Sequence, residues 1–114
     1  MRIVLGILVM SAIAHADVET DAYTKAKPVF DKYCAKCHTK TGEKATPKKL
    51  DHFDMTAYPF GGHHAKTIGT TIRTVLGLTS KKATMPDDKP GSLKGDDLAA
   101  IKAWADAWIA AHGH

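Results

Sequence analysis

The sequence predicts an all-α domain, and three observations carry that prediction. Two stretches set apolar residues at helical spacing: Ile68, Ile72, Val75 and Leu76 mid-chain, and Leu98, Ile101, Ala105, Trp108 and Ile109 near the end. No segment alternates apolar and polar residues over the length of a strand. Segments punctuated by proline and glycine separate the periodic stretches, and no repeat or low-complexity tract interrupts them.

Arg2, the apolar run from Ile3 to Ile13 and Ala14-His15-Ala16 have the form of a secretory signal peptide. The apolar run is too short to span a bilayer. Residues 1–16 are read as a signal peptide cleaved after Ala16, and 17–114 as one exported domain. An uncleaved membrane anchor is the alternative.

Residues 22–33 read as the first helix, with Val29, Phe30 and Tyr33 facing inward and Thr20 or Asp21 as N-cap. Pro28 suits a first helical turn and disrupts an interior, which sets the start of regular helix near Lys27. Residues 39–49 are lysine-rich, contain Gly42 and Pro47, and read as a loop. A helical turn is expected around Phe53 and Met55, ended by Pro59 and Gly61-Gly62. Residues 63–76 read as a helix, and 79–91 as irregular chain broken by Pro86, Pro90 and Gly91. The last helix opens at Gly95, with Asp96 and Asp97 at its positive end.

Cys34-Ala35-Lys36-Cys37-His38 follows the first helix. A C-x-x-C-H run is the attachment signature of covalent c-type haem. On the last turn of a helix, positions i, i+3 and i+4 share a face, so both thiols reach one porphyrin edge while His38 reaches the iron. A redox dithiol is expected near a βαβ pattern, which is missing here, and leaves His38 unexplained. A structural zinc site wants four ligands. The chain has two cysteines, and the adjacent His63 and His64 are expected to diverge and chelate one metal poorly.

A low-spin electron-transfer haem needs a second axial ligand. Met85 is the candidate: it sits in Ala83-Thr84-Met85-Pro86, between two helices, where Pro86 keeps its backbone extended. A methionine sulfur raises the potential relative to two histidines. His63 and His64 follow Gly61-Gly62 and are the alternative ligands, which would make the site bis-histidine. Met55, beside Phe53 and Tyr58, is assigned to the apolar wall, and His52, His112 and His114 to surface or tail positions.

The net charge is +4 for the whole chain and +3 once Arg2 is removed. That excess, without an Arg-rich patch or aromatic platform, excludes nucleic-acid binding. Lysines gather in 36–49, at Lys81-Lys82, and at Lys94 and Lys102; those near the haem edge would steer an acidic redox partner. A domain of this size buries a thin core. With both cysteines committed to one covalent haem, the porphyrin becomes its apolar centre, and the apoprotein is expected to fold poorly.

These residues resemble class I cytochromes c, the small monohaem carriers of bacterial periplasms. The likeness covers almost all of 17–114: Val29-Phe30 ahead of the cysteine motif, Met85-Pro86, and the terminal helix from Asp97 to Trp104. It implies three to four helices around one haem c, with the N- and C-terminal helices crossing at an aromatic pair, here Phe30 and Trp104. It also implies His38 as proximal and Met85 as distal iron ligand. The chain departs from the family in Lys27-Pro28, where a glycine is common, and in the pair His63-His64.

The reading is a periplasmic electron carrier, monomeric and not an enzyme. Its donor and acceptor would be redox proteins met transiently, and it would make no stable membrane insertion once the signal is removed. Residues flanking Cys34 and the Lys81-Lys82 loop are expected to rim the contact surface. A haem-based ligand sensor is the runner-up.

Overall fold

Two long helices, crossing over a pair of aromatic rings, decide the architecture. The computed structural model describes the backbone of residues 5–113 and the side chains of 17–113. Among the described residues five helices form: α1 (Leu5–Tyr33), α2 (Ala35–His38), α3 (Pro47–His52), α4 (Ile68–Val75) and α5 (Gly95–His112), with a 3₁₀ turn, Ala65–Thr67, leading into α4. Among the described residues, pairing of strand type is limited to one isolated bridge, Asp54 to Gly61, so the fold is all-α. The expected signal peptide, 1–16, falls where side chains lie outside the described residues. No described helix is long and apolar enough to cross a membrane.

Helices α1 and α5 bury Ala26, Val29 and Phe30 on one side and Ile101, Trp104, Ala105 and Trp108 on the other. The Phe30 ring meets Trp104 edge-on, with centroids 5.2 Å apart at 87°, as the resemblance implied. Phe60 closes the cluster, edge-on to Phe30 at 5.1 Å and to Phe53 at 5.0 Å. Trp104, though fully buried, keeps its polar edge satisfied: Nε1 donates to the Tyr58 hydroxyl at 3.0 Å. Tyr58 donates in turn to Glu19 at 2.7 Å, whose other oxygen lies 2.6 Å from His112 Nε2. Burial pushes the Tyr58 phenol well up, so it remains a donor.

Helix α1 does not begin near Lys27. It continues through Pro28, and neither Thr20 nor Asp21 caps it. The missing proline N–H costs a bond to Thr24, a penalty of about 3 kcal/mol in an interior. Burial of Ala26, Val29 and Phe30 offsets that penalty, Pro28 itself faces solvent, and Lys27 pairs with Asp31 at 2.8 Å alongside.

The predicted loop at 39–49 is shorter than expected, because α3 starts at Pro47. Thr46 caps it by accepting from the Lys49 N–H at 3.2 Å, and Pro47 fills the first turn, where no N–H is needed. The helical turn expected around Phe53 and Met55 is extended chain instead. Asp54 exchanges two backbone bonds with Gly61, and the Met55 N–H donates to the His38 carbonyl at 2.7 Å. Met55 is buried in the core, as predicted.

Helix α4 packs across α5 at Gly69. A Cβ there would lie 3.0 Å from Trp108 and Ile109 side chains and 3.1 Å from the Ala105 carbonyl. Arg73 faces Asp106 at 3.7 Å beside the crossing. In α5, Trp104 is more deeply buried than the ends of the expected stripe, Leu98 and Ile109. Gly113 ends α5 in the left-handed region at φ 82°, its N–H returning to Ile109 at 2.7 Å.

Candidate functional site

The chain leaves α1 at Cys34, which keeps its helical bond to Phe30 and then caps α2. The N–H groups of Cys37 and His38 both turn back to the Cys34 carbonyl, at 3.2 and 3.0 Å. The motif therefore occupies its own turn after a break, not the last turn of α1. Loop 39–44 folds back against it: Lys44 N–H donates to the Lys36 carbonyl at 2.8 Å, and Gly42 lies flat on the turn. A Cβ on Gly42 would sit 2.5 Å from the Lys36 carbonyl oxygen, so only glycine permits this closure.

His38 is held by one bond. Its Nδ1 lies 2.9 Å from the Phe53 carbonyl. A carbonyl only accepts, so Nδ1 carries the proton and Nε2 keeps a free lone pair, which is the state a metal ligand needs. Burial, with Cys37 beside it, pushes the Cys34 thiol up to about 12. Such a thiol is a poor thiolate, unlike that of a reactive redox dithiol. Lys49 Nζ lies 3.9 Å from the Cys37 sulfur.

Cys34, Cys37 and His38 open onto a cavity of about 390 Å³, within the range of small-molecule sites. Val29, Phe30 and Tyr33 wall it from α1; Ile72 and Val75 from α4, with Leu76 just past its end; Leu93 and Ile101 from the α5 side. Met85 and Pro86 line it as well. Met85 is fixed by its backbone: the N–H groups of Thr84 and Met85 both donate to the Val75 carbonyl, at 2.8 and 3.0 Å. An ion pair between Lys36 and Asp88 ties the cysteine turn to the Met85 loop. Its hydrogen bond holds the Asp88 carboxyl below, and the Lys36 ammonium above, their ordinary values.

His63 and His64 do not line this cavity. They lie with His52 in a separate group of three imidazoles, whose ligand nitrogens fall within 4.8 Å of one another. The two adjacent rings do not diverge as expected: their centroids are 4.0 Å apart. His52, assigned from sequence to the surface, stands in both places, at the cavity edge and in the triad. Charged residues on the cavity wall are Lys48, Lys49, Asp87 and Asp88; the Lys81-Lys82 loop is not part of it.

Sequence reasoning missed the Phe53 carbonyl, the Lys36–Asp88 tie and the histidine triad. Each joins residues far apart in the chain or involves a backbone atom, and neither leaves a local signal. His112, read from sequence as a surface or tail residue, is exposed and stacks on Trp108 at 3.9 Å. His114 lies outside the described residues.

An all-α fold built over an apolar cavity, with C-x-x-C-H at one wall and a methionine at another, defines a haem-carrying protein. The family described as cytochrome c oxidase, cbb3-type, subunit III matches residues 21–104, and the chain belongs to it. Neither curated proteins nor solved structures gave a match. The chain is therefore a monohaem c-type cytochrome domain with covalently bound haem and its iron. Cytochrome c domains carry electrons, exchange them with redox partners, and are typically exported. The residues present fit the group: an apolar cavity bordered by two cysteine sulfurs, an imidazole with a free Nε2, and a thioether.

Proposed function

We propose that this protein is a periplasmic one-electron shuttle, freed from its signal at Ala16. In this reading Cys34 and Cys37 would carry the thioether bonds, and His38 Nε2 and the Met85 sulfur would hold the iron. The observation that carries it is the single cavity lined by all four residues, while His63 and His64 stand outside it. A haem so held supplies reversible ferric–ferrous exchange without ligand loss.

The chain's own residues account for the rest. The Phe53 carbonyl keeps the His38 proton on Nδ1 and orients the ring. Val75 anchors the Met85 backbone, which keeps this residue at the cavity wall. Apolar walls from α1, α4 and Leu93 exclude water, which limits reorganisation when charge changes. Lys48 and Lys49 on the cavity wall give an acidic partner a small, transient docking face. Glu19 bonds Tyr58 and His112, so the packed domain reaches back at least to that residue.

The test is spectroscopic. Denatured holoprotein should weigh more than the processed polypeptide by one haem. Its ferric spectrum should carry the weak long-wavelength band of a thioether ligand. Met85→Ala should abolish that band and lower the potential by a sizeable part of the ~0.8 V over which axial ligands tune haem. An unchanged spectrum in Met85→Ala would move the distal ligand to His63 or His64.

A further inference from the structure

The triad of His52, His63 and His64 is not used by the electron-carrier reading. We propose that it binds a divalent late transition cation, of which Zn²⁺ is the probe, at the lip of the haem cavity. Neutral imidazoles are the natural ligands for Zn²⁺, Ni²⁺ and Cu²⁺. Two exposed rings and one half-buried ring leave the remaining coordination position to water.

The geometry is close to what such an ion needs. Zn–N bonds of about 2.0–2.1 Å in a tetrahedral site place ligand nitrogens about 3.3 Å apart. The nitrogens here lie within 4.8 Å of one another, so a contraction of at most about 1.5 Å suffices, which side-chain rotation supplies. The three rings already face one another: His52 to His63 at 4.5 Å, His52 to His64 at 5.6 Å, and His63 to His64 at 4.0 Å.

The backbone, not chance rotamers, brings them together. Gly62 has φ 95°, and a Cβ on it would lie 2.6 Å from the His52 carbonyl oxygen. Only glycine lets the chain lie this close to the end of α3. His63 N–H then donates to the Asp51 carbonyl at 2.7 Å, and the His63 Nδ1 faces the same oxygen at 3.0 Å. That oxygen only accepts, so the His63 proton sits on Nδ1 and Nε2 is left as the ligand atom. An outer-shell carbonyl oriented in this way is a usual support for a metal-bound histidine.

The experiment uses holoprotein made without an affinity tag, stripped with chelator and titrated calorimetrically with Zn²⁺. One ion should bind per chain. His52→Gln, His63→Gln and His64→Gln should each weaken binding at least about tenfold, while His112→Gln leaves it unchanged. Cu²⁺ bound to the wild type should show nitrogen hyperfine structure that simplifies in each triad variant. Unchanged affinity in His52→Gln and His64→Gln would overturn the site, as would no binding at millimolar Zn²⁺. A shifted haem spectrum in His63→Gln or His64→Gln would also overturn it, because that imidazole would then belong to the iron. The site does not depend on Met85 as ligand, so a failure of either reading is separately visible.

Discussion

Replacing Phe30 by alanine removes the ring on which the α1–α5 crossing and one cavity wall both rest. Phe30 is 1 % exposed and meets Trp104 and Phe60 edge-on at 5.2 and 5.1 Å. Truncating a buried phenylalanine costs about 3–5 kcal/mol, more where neighbours cannot collapse into the space. Here they cannot collapse easily. Trp104 is fully buried and tethered through Nε1 to Tyr58, and Phe60 is wedged among four other rings. We therefore expect about 4 kcal/mol, the middle of that range. For a domain of this size each kcal/mol moves the melting temperature by about 4–8 °C, giving a fall of roughly 15–30 °C.

Urea unfolding of the holoprotein, followed by circular dichroism, measures the loss directly. Phe30→Leu, which refills much of the space, should recover at least half of it. A cycle with Trp104→Leu should return a coupling of about 0.5–1.5 kcal/mol for the edge-on contact. A loss below about 1.5 kcal/mol in Phe30→Ala would refute the reasoning, since the ring would then not be locked in an uncollapsible site.

Gly42→Ala should destabilise the holoprotein by about 1–3 kcal/mol in the same assay, because its Cβ would overlap the Lys36 and Ala35 carbonyls and lift the loop from the cysteine turn. Wild-type stability in that variant would refute the close contact. The Lys36–Asp88 tie has a definite sign with pH. Lys36 lowers the folded-state pKa of Asp88, so the tie is present at neutral pH and is lost as pH falls through that lowered value, below about 4. Asp88→Asn should speed amide exchange at Thr84 and Met85 relative to wild type at pH 6, with the difference shrinking as the pH falls through the lowered Asp88 value; equal rates at pH 6 would deny the tie any role in holding the Met85 loop.

Several features were decided within a few residues of chain. The C-x-x-C-H turn announced a covalent haem, the stripe through Ile101, Ala105 and Trp108 announced the terminal helix, and the lack of alternation excluded a sheet. Each depends on spacing along one element, which local sequence carries in full. Local rules failed where distant packing outweighed them. Pro28 sits inside α1 because Phe30 and Ala26 are buried against α5, and Phe53 and Met55 are extended because Gly61 and His38 take their backbone bonds.

Only the tertiary structure paired groups far apart in the chain. It set the Phe53 carbonyl against His38, Asp88 against Lys36, Glu19 against Tyr58 and His112, and His52 against His63 and His64. It also put Met85 on the cavity wall and left the two competing histidines off it. The physical reason is the same in each case. A residue's type states what bonds it is able to make, but which partner lies within 3 Å depends on how helices α1, α4 and α5 cross, and that is a property of the packed core as a whole.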